Sequence, residues 1–221
     1  MAGGFGTRLR PLTNNLPKPM VPMVNRPMME HIIELLKKNS ITDLTALLYF
    51  QPEMISERLG DGSAFGVKLG YTTLTVDLGT AGAVGSAMRR LEGDETTLII
   101  SGDVLTDIDL NKAVQFHKEK GSVATIVLTR VENPLPFGIV ITDEDGRIMR
   151  FLEKPSWGEV FSDTINTGIY ILEKKVLDFI PVDKEFDFSK DLFPALLEKG
   201  EPIYGYTAKG YWKDVGSLEE Y

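Results

Sequence analysis

The chain has 221 residues, 43% hydrophobic and 25% charged, which suits one sizeable globular domain, or two small ones, with a real core. Its formal net charge of −8 argues against a phosphate-backbone binder, so no nucleic-acid partner is expected, although a small anion is compatible where cations converge locally. There is no cysteine, no apolar run of membrane-spanning length and no signal-peptide pattern, so disulfides, thiolate chemistry and a membrane partner are not expected and the cytoplasm is the default location.

The first organised stretch runs from Met1 to Pro22. Gly3, Gly4 and Gly6 lie within four positions and are followed by Thr7, Arg8 and Arg10. Glycine lets another group approach the backbone, so successive N–H groups can face one anion, while Thr7 adds a donor and Arg8 a planar fork that matches a phosphate edge. Lys18 stands between Pro17 and Pro19, which predicts an extended, stiff arm for the ammonium group. No Gly-Lys-Ser/Thr occurs, and Leu9 takes the place of the third glycine of a dinucleotide fingerprint, so neither of those phosphate motifs applies. Only Met1 and Ala2 precede the loop, so the strand that normally leads into it is expected to be missing. The ending at Leu218-Glu-Glu-Tyr221 has no helix stop, as expected of a chain trimmed from a longer protein.

Asn25 is a candidate helix cap with Pro27 near the helix start, and Met28, Met29, Ile32, Ile33, Leu35 and Leu36 form the buried stripe. Residues 44–50 read as a strand, 52–59 as a helix ended by Gly60-Asp61-Gly62, and 67–75 as a strand. The small-residue loop 78–82 opens a helix to residue 91. Strands follow at 97–101 and 123–130 around a helix at 110–120. Helix and strand thus alternate from residue 25 to 130, the pattern of an α/β fold with a mostly parallel sheet. Segments 138–142, 147–152 and 167–172 read as a strand-rich insertion, the first two joined by an Asp145-Gly146 hairpin turn. Helices are expected at 174–180 and 189–199, and a last strand at 203–208. With no linker and no repeat, one α/β domain is expected to span 1–221.

In such sheets ligands bind beyond the carboxyl ends of strands, which picks out residues 3–8, 78–82 and 101–103. Asp103 follows an apolar strand and a glycine, and Asp214 lies between Trp212 and Gly216. Two carboxylates completed by phosphate oxygens and water suit Mg²⁺, though either alone reads as a turn residue. Glu153-Lys154 pairs an acceptor for hydroxyls with a cation for a phosphate, and alone reads as a surface ion pair. His31 and His117 each sit in an amphipathic helical pattern and read as structural.

Residues 3–13 followed by Pro17-Lys18-Pro19 closely resemble the signature of the sugar-1-phosphate nucleotidylyltransferases, G-G-x-G-T-R-L-x-P-L-T and then P-K-P. Gly102-Asp103, Pro136-Phe137-Gly138, Glu153-Lys154-Pro155, Asn166-Thr167-Gly168-Ile169-Tyr170 and Trp212-Lys-Asp214-Val-Gly216 resemble further elements of that family, in its order. The resemblance implies a Rossmann-like core of a mostly parallel sheet flanked by helices, with the strand-rich insertion serving the sugar. It implies a nucleotide held by Ala2, Gly3, Gly4, Gly6, Thr7 and by Gly79, Thr80, Ala81 and Gly82. It makes Arg8, Lys18 and Asp103 catalytic, with Asp103 and Asp214 holding Mg²⁺. It assigns Gly138, Glu153, Lys154, Asn166 and Thr167 to the sugar phosphate. The implied reaction joins a nucleoside triphosphate and a hexose 1-phosphate to give a nucleotide sugar and pyrophosphate. The loop at 78–82 is similar to that of the mannose-1-phosphate guanylyltransferases, so GTP with mannose 1-phosphate is the expected pair. Thymidylyl, uridylyl or adenylyl transfer to glucose 1-phosphate, and a non-catalytic sugar-nucleotide-binding subunit, are the alternatives. A homo-oligomer is compatible with this reading.

Overall fold

The computed structural model describes residues 1–91 and 96–221. In chain order the elements begin with a two-residue pair, β1 (Pro22–Met23) and β2 (Arg26–Pro27), followed by α1 (Met28–Lys38) and β3 (Asp43–Leu48). Next come α2 (Pro52–Leu59), β4 (Lys68–Thr73), α3 (Gly79–Met88), β5 (Thr97–Ile100) and β6 (Val104–Thr106). Then follow α4 (Leu110–Lys120), β7 (Ala124–Arg130), β8 (Gly138–Thr142), β9 (Ile148–Glu153) and β10 (Thr164–Leu172). The last are α5 (Phe193–Glu198), β11 (Ile203–Thr207) and β12 (Trp212–Asp214). These form two compact units: Met1–Asp77 with Ser101–Leu110 and Gly210–Tyr221, and Leu78–Ile100 with Asn111–Lys209.

In the first unit β3 and β4 pair in parallel from Asp43–Lys68 to Leu48–Thr73, with α2 as the crossover. β6 and β12 pair antiparallel, Val104 opposite Asp214. Asn25 is not a helix cap: Val24 and Asn25, at φ 51° and 62°, form the two-residue turn between β1 and β2, and Pro27 stands at the cap position of α1. Two successive left-handed residues are what a tight hairpin requires, and Asn is one of the few side chains that tolerate it. The predicted apolar stripe of α1 is buried, from Met28 and Met29 to Leu35 and Leu36. Met1 and Ala2 are tied into this unit: Ala2 N–H donates to Leu47 C=O at 2.9 Å and Gly102 N–H to Met1 C=O at 2.7 Å.

In the second unit the strand order is β11-β7-β10-β8-β9, with β5 also on β10. The sheet is mixed rather than mostly parallel: β7–β11 is parallel, whereas β10 runs antiparallel to β5, β7 and β8, and β8–β9 is an antiparallel hairpin. The strand-rich insertion is the reason, because hairpin connections give antiparallel neighbours while the helical crossover pattern that predicted a parallel sheet ends with β7. The Asp145-Gly146 turn is present, with Gly146 at φ 85° and the Asp143 carboxylate accepting from the Asp145 and Arg147 N–H groups. Strand β7 lies between β11 and β10, and Ala124 to Leu128 are all buried, which explains its predominantly apolar run, broken only by Thr125. The helix expected to reach residue 91 ends at Met88, and the segment expected to be helical from 174 is a short 3₁₀ turn. Pro194 has no N–H, so regular α-helix begins only at Phe193, where the proline occupies the first turn and no intrahelical donor is needed.

Candidate functional site

In the first unit the glycine loop is held from beneath by apolar anchors. Leu9, Val21, Met28 and Val215 form a buried cluster, with Leu12, Met23 and Leu105 packed on it. Fully burying a leucine such as Leu9 contributes about 1.5–3 kcal/mol. Because Leu9 follows Arg8 and Val215 follows Asp214, the cluster fixes the backbone beside both charged groups. Gly6 sits at φ 62°, and a Cβ there would lie 2.9 Å from Thr13 Cγ2 and 3.0 Å from Lys18 Cβ. The Thr13 hydroxyl donates to Gly6 C=O at 2.7 Å and closes the loop.

Lys18 is buried but not on an extended arm. It opens the 3₁₀ turn Lys18–Met20, with Pro17 as the extended cap and Val21 N–H donating to Lys18 C=O. Closing that turn outweighs the bias that Pro19 places on its predecessor. Its ammonium group donates to Asp103 Oδ2 at 2.5 Å. Gly102, just before, must be glycine, since a Cβ would lie 2.6 Å from Met1 O and 3.4 Å from Pro19 Cγ.

The β6–β12 ladder then brings the second aspartate in. Val104 faces Asp214, and Val215 N–H donates to Asp103 C=O at 2.9 Å. A Cβ on Gly216 would lie 2.8 Å from Asp214 Oδ2 and 3.1 Å from an Arg8 Nη, so Arg8 and Asp214 flank the same glycine. Burial above all, and then the charge of Asp103, pushes the Asp214 carboxyl up to about 6, while Lys18 and Arg8 pull it back. Arg8, Lys18, Asp103 and Asp214 therefore share one electrostatic neighbourhood. A half-buried carboxylate pushed up by a second carboxylate is chemically suited to a divalent cation, which neutralises both. Among the described residues there is no group of three or more His, Cys, Asp or Glu side chains that could cage an ion. One feature was not anticipated: Phe5, about half exposed, packs on Tyr49 and Phe50 at ring separations of 5.6 and 5.2 Å.

In the second unit, residues 79–82 form the first turn of α3 rather than a free loop. Gly79 has φ 66°, and a Cβ there would lie 2.7 Å from Phe186 O. The Ala81 and Gly82 N–H groups, both at the helix start, donate to that same carbonyl at 2.9 Å. The Thr80 hydroxyl donates to Asp187 Oδ2 at 2.8 Å and accepts from Phe188 N–H at 3.0 Å.

Glu153 ends β9 opposite Gly138, where a Cβ would lie 2.8 Å from Glu153 Oε2 and 2.7 Å from the Phe151 ring. Glycine at 138 leaves the carboxylate its place. Burial raises the Glu153 pKa, and the nearby Ser189 hydroxyl works the other way. Asn166 Nδ2 donates to Tyr170 OH at 3.0 Å and to Ser189 Oγ at 3.4 Å, and its Oδ1 accepts from Gly168 N–H across a bulge in β10. Lys154 is exposed, with φ 45°. Thr167 is not brought to this group: its hydroxyl is buried and donates to Val127 C=O at 2.7 Å, because successive strand residues face opposite sides. Sequence reasoning passed over Asp187 and Ser189, although an Asp two residues before a Ser at a helix start is a capping signal.

His117 is structural, as expected. It is buried, with its ring nitrogens against Thr125 Oγ1 at 2.8 Å and Glu173 Oε1 at 2.9 Å. Among the described residues no helix is long and apolar enough to cross a membrane.

The family model described as nucleotidyl transferase matches residues 1–221. The chain belongs to that family. Compared with curated relatives, this nucleotidyl transferase chain is 39% identical to the UTP–glucose-1-phosphate uridylyltransferase of Synechocystis, over all of this chain and 60% of that protein. It is 38% identical to the mannose-1-phosphate guanylyltransferase of Mycobacterium tuberculosis, over all of this chain and 61% of that one. The chain thus spans about three fifths of the length of these two relatives. Among solved structures, the HddC protein of Yersinia pseudotuberculosis superposes with a TM-score of 0.85 at 27% identity, covering all of this chain and 93% of that one.

Proposed function

We propose that this nucleotidyl transferase joins a nucleoside triphosphate to a hexose 1-phosphate, releasing pyrophosphate. The observation that carries the reading is the convergence of Arg8, Lys18, Asp103 and Asp214 in one unit. A phosphate oxygen of the sugar phosphate attacks the α-phosphorus. As that P–O bond forms, the bond from the α-phosphorus to the oxygen bridging to the β-phosphorus breaks, and its electron pair leaves with pyrophosphate.

Both reactants are anions, so the protein's contribution is positioning and charge stabilisation. The guanidinium of Arg8 and the glycine-loop backbone hold the triphosphate, and the Lys18 ammonium neutralises charge developing around the α-phosphoryl group. The sugar phosphate is an ionised nucleophile, so no general base is needed, in keeping with both histidines lying outside the candidate residues. Asp103 and Asp214 are the residues that would hold Mg²⁺, whose charge when bound screens the repulsion between the two anions. In the second unit Glu153, Lys154, Asn166 and Gly138 receive the sugar phosphate.

GTP with mannose 1-phosphate is the preferred pair, supported by the 78–82 segment and the M. tuberculosis relative. UTP with glucose 1-phosphate is the second reading, favoured by the Synechocystis relative. A pyrophosphate-release panel crossing GTP, UTP, dTTP and ATP with mannose and glucose 1-phosphates tests both. Fastest release with GTP and mannose 1-phosphate is expected, a faster UTP–glucose pair installs the second reading, and no release from any pair rejects nucleotidyl transfer.

A further inference from the structure

The carboxylate of Asp187 has two different jobs on its two oxygens. Oδ1 accepts from the Ser189 and Lys190 N–H groups at 2.9 and 3.1 Å and so caps the turn that leads into α5. Oδ2 accepts from the Thr80 hydroxyl, 107 residues away in sequence, at 2.8 Å. The same strip is tied to α3 through its backbone as well: Phe186 N–H donates to Leu78 C=O, and Phe186 C=O accepts from Ala81 and Gly82. Two residues on, Ser189 Oγ accepts from Asn166 Nδ2 at 3.4 Å, and the Ser189 hydroxyl lowers the pKa of the neighbouring Glu153 carboxyl. An aromatic group backs the strip, with Phe188 against Tyr170 at 4.6 Å and stacked on Phe193 at 5.7 Å.

We propose that Asp187 is a positioning residue of the substrate site. It locks the turn Gly79–Gly82, assigned above to the nucleotide, to the strip that sets Ser189 between Glu153 and Asn166, assigned to the sugar phosphate. The inference rests on that assignment of the two groups. A cap alone needs one acceptor oxygen, and the second oxygen here is spent on Thr80. Thr80 is exposed and Asp187 half-buried, so the bond adds little to stability, and its effect falls on the orientation of the turn.

Asp187→Asn separates the two jobs, since an amide keeps the capping oxygen but offers an N–H₂ group to Thr80, which cannot accept the hydroxyl proton. Isothermal titration of the chain with GTP, UTP and dTTP in the presence of Mg²⁺, together with steady-state pyrophosphate release, reads the consequence. Asp187→Asn is expected to weaken triphosphate binding about tenfold and to raise the sugar-phosphate KM, with a smaller fall in kcat and an unchanged melting temperature. Thr80→Val should weaken triphosphate binding at least as much, with some loss of melting temperature because the Phe188 N–H also loses its acceptor, and Thr80→Ser should keep wild-type behaviour. Wild-type triphosphate affinity and KM values in Asp187→Asn overturn the proposal, whatever happens to its melting temperature. If the wild-type chain binds triphosphate but releases no pyrophosphate with any sugar phosphate, nucleotidyl transfer fails while the titration still decides the role of Asp187. A wild-type chain that binds no triphosphate overturns both.

Discussion

The two units hold polar groups by opposite means. Around Arg8, Lys18, Asp103 and Asp214, apolar and conformationally fixed neighbours do the positioning: Leu9 beside Arg8, Pro19 beside Lys18, Gly102 beside Asp103 and Val215 beside Asp214. The charges themselves remain electrostatically strained, with Asp214 pushed up by burial and by Asp103. Around Glu153, Asn166, Ser189 and Asp187 the polar groups position one another through a chain of hydrogen bonds. Truncating a charge in the first unit should therefore act mainly on turnover, and truncating a polar group in the second should act first on its hydrogen-bond neighbours.

The largest effect should come from Lys18→Ala. Removing one preorganised charge typically costs about 10²–10³ in turnover, and pyrophosphate release should fall that far, with some loss of melting temperature because Asp103 is left without its buried partner. Asp103→Asn should behave alike, and near-normal release in either variant breaks the contrast at its functional end. His117→Ala probes the other end. It strips buried Thr125 and the partly buried Glu173 of a partner, and should cost about 1–3 kcal/mol in a denaturant melt with kcat kept. A variant as stable as wild type would show that the second unit does not depend on its polar pairs.

Gly6→Ala is the exception within the first unit, because there the backbone itself carries the arrangement. A left-handed residue with a Cβ costs about 1–2 kcal/mol, and this Cβ would press on Thr13 and Lys18, so both melting temperature and turnover should fall. Loss of one without the other would separate the loop from the ammonium group.

The smallest effect is a pH dependence at Glu153. Its folded pKa is raised above the unfolded value of 4.5, chiefly by burial, so the stability carried by the protonated form is present below 4.5 and lost as pH rises through the folded pKa. Glu153→Gln should therefore melt higher than wild type at neutral pH, with the gain vanishing towards pH 4.5. Parallel melting curves across that range would remove burial as the governing influence on this carboxylate.

The α/β class, the hairpin at Asp145-Gly146, the stripe of α1 and the glycine loop were legible because each depends on residues a few positions apart. The misreadings also have local causes. Lys18 and Asn25 were assigned from their immediate neighbours, yet Lys18 closes a turn onto Val21 and Asn25 closes a hairpin between β1 and β2. The parallel sheet was inferred from alternation up to residue 130 and carried past the point where antiparallel strands take over. Thr167 was grouped with Asn166 as though adjacent strand residues shared a face.

By itself the sequence determined which groups the protein owns and how their own backbone can bend: glycines where a Cβ would collide, prolines around a lysine, and apolar residues next to each charge. Tertiary structure alone decided who meets whom. Lys18 reaches Asp103 across 85 positions and Thr80 reaches Asp187 across 107, and the β6–β12 register sets Asp214 opposite Val104. The physical reason is range, since torsional preference and turn chemistry act over a few residues, whereas such meetings follow from ladder register and from burial of the apolar surface on either side.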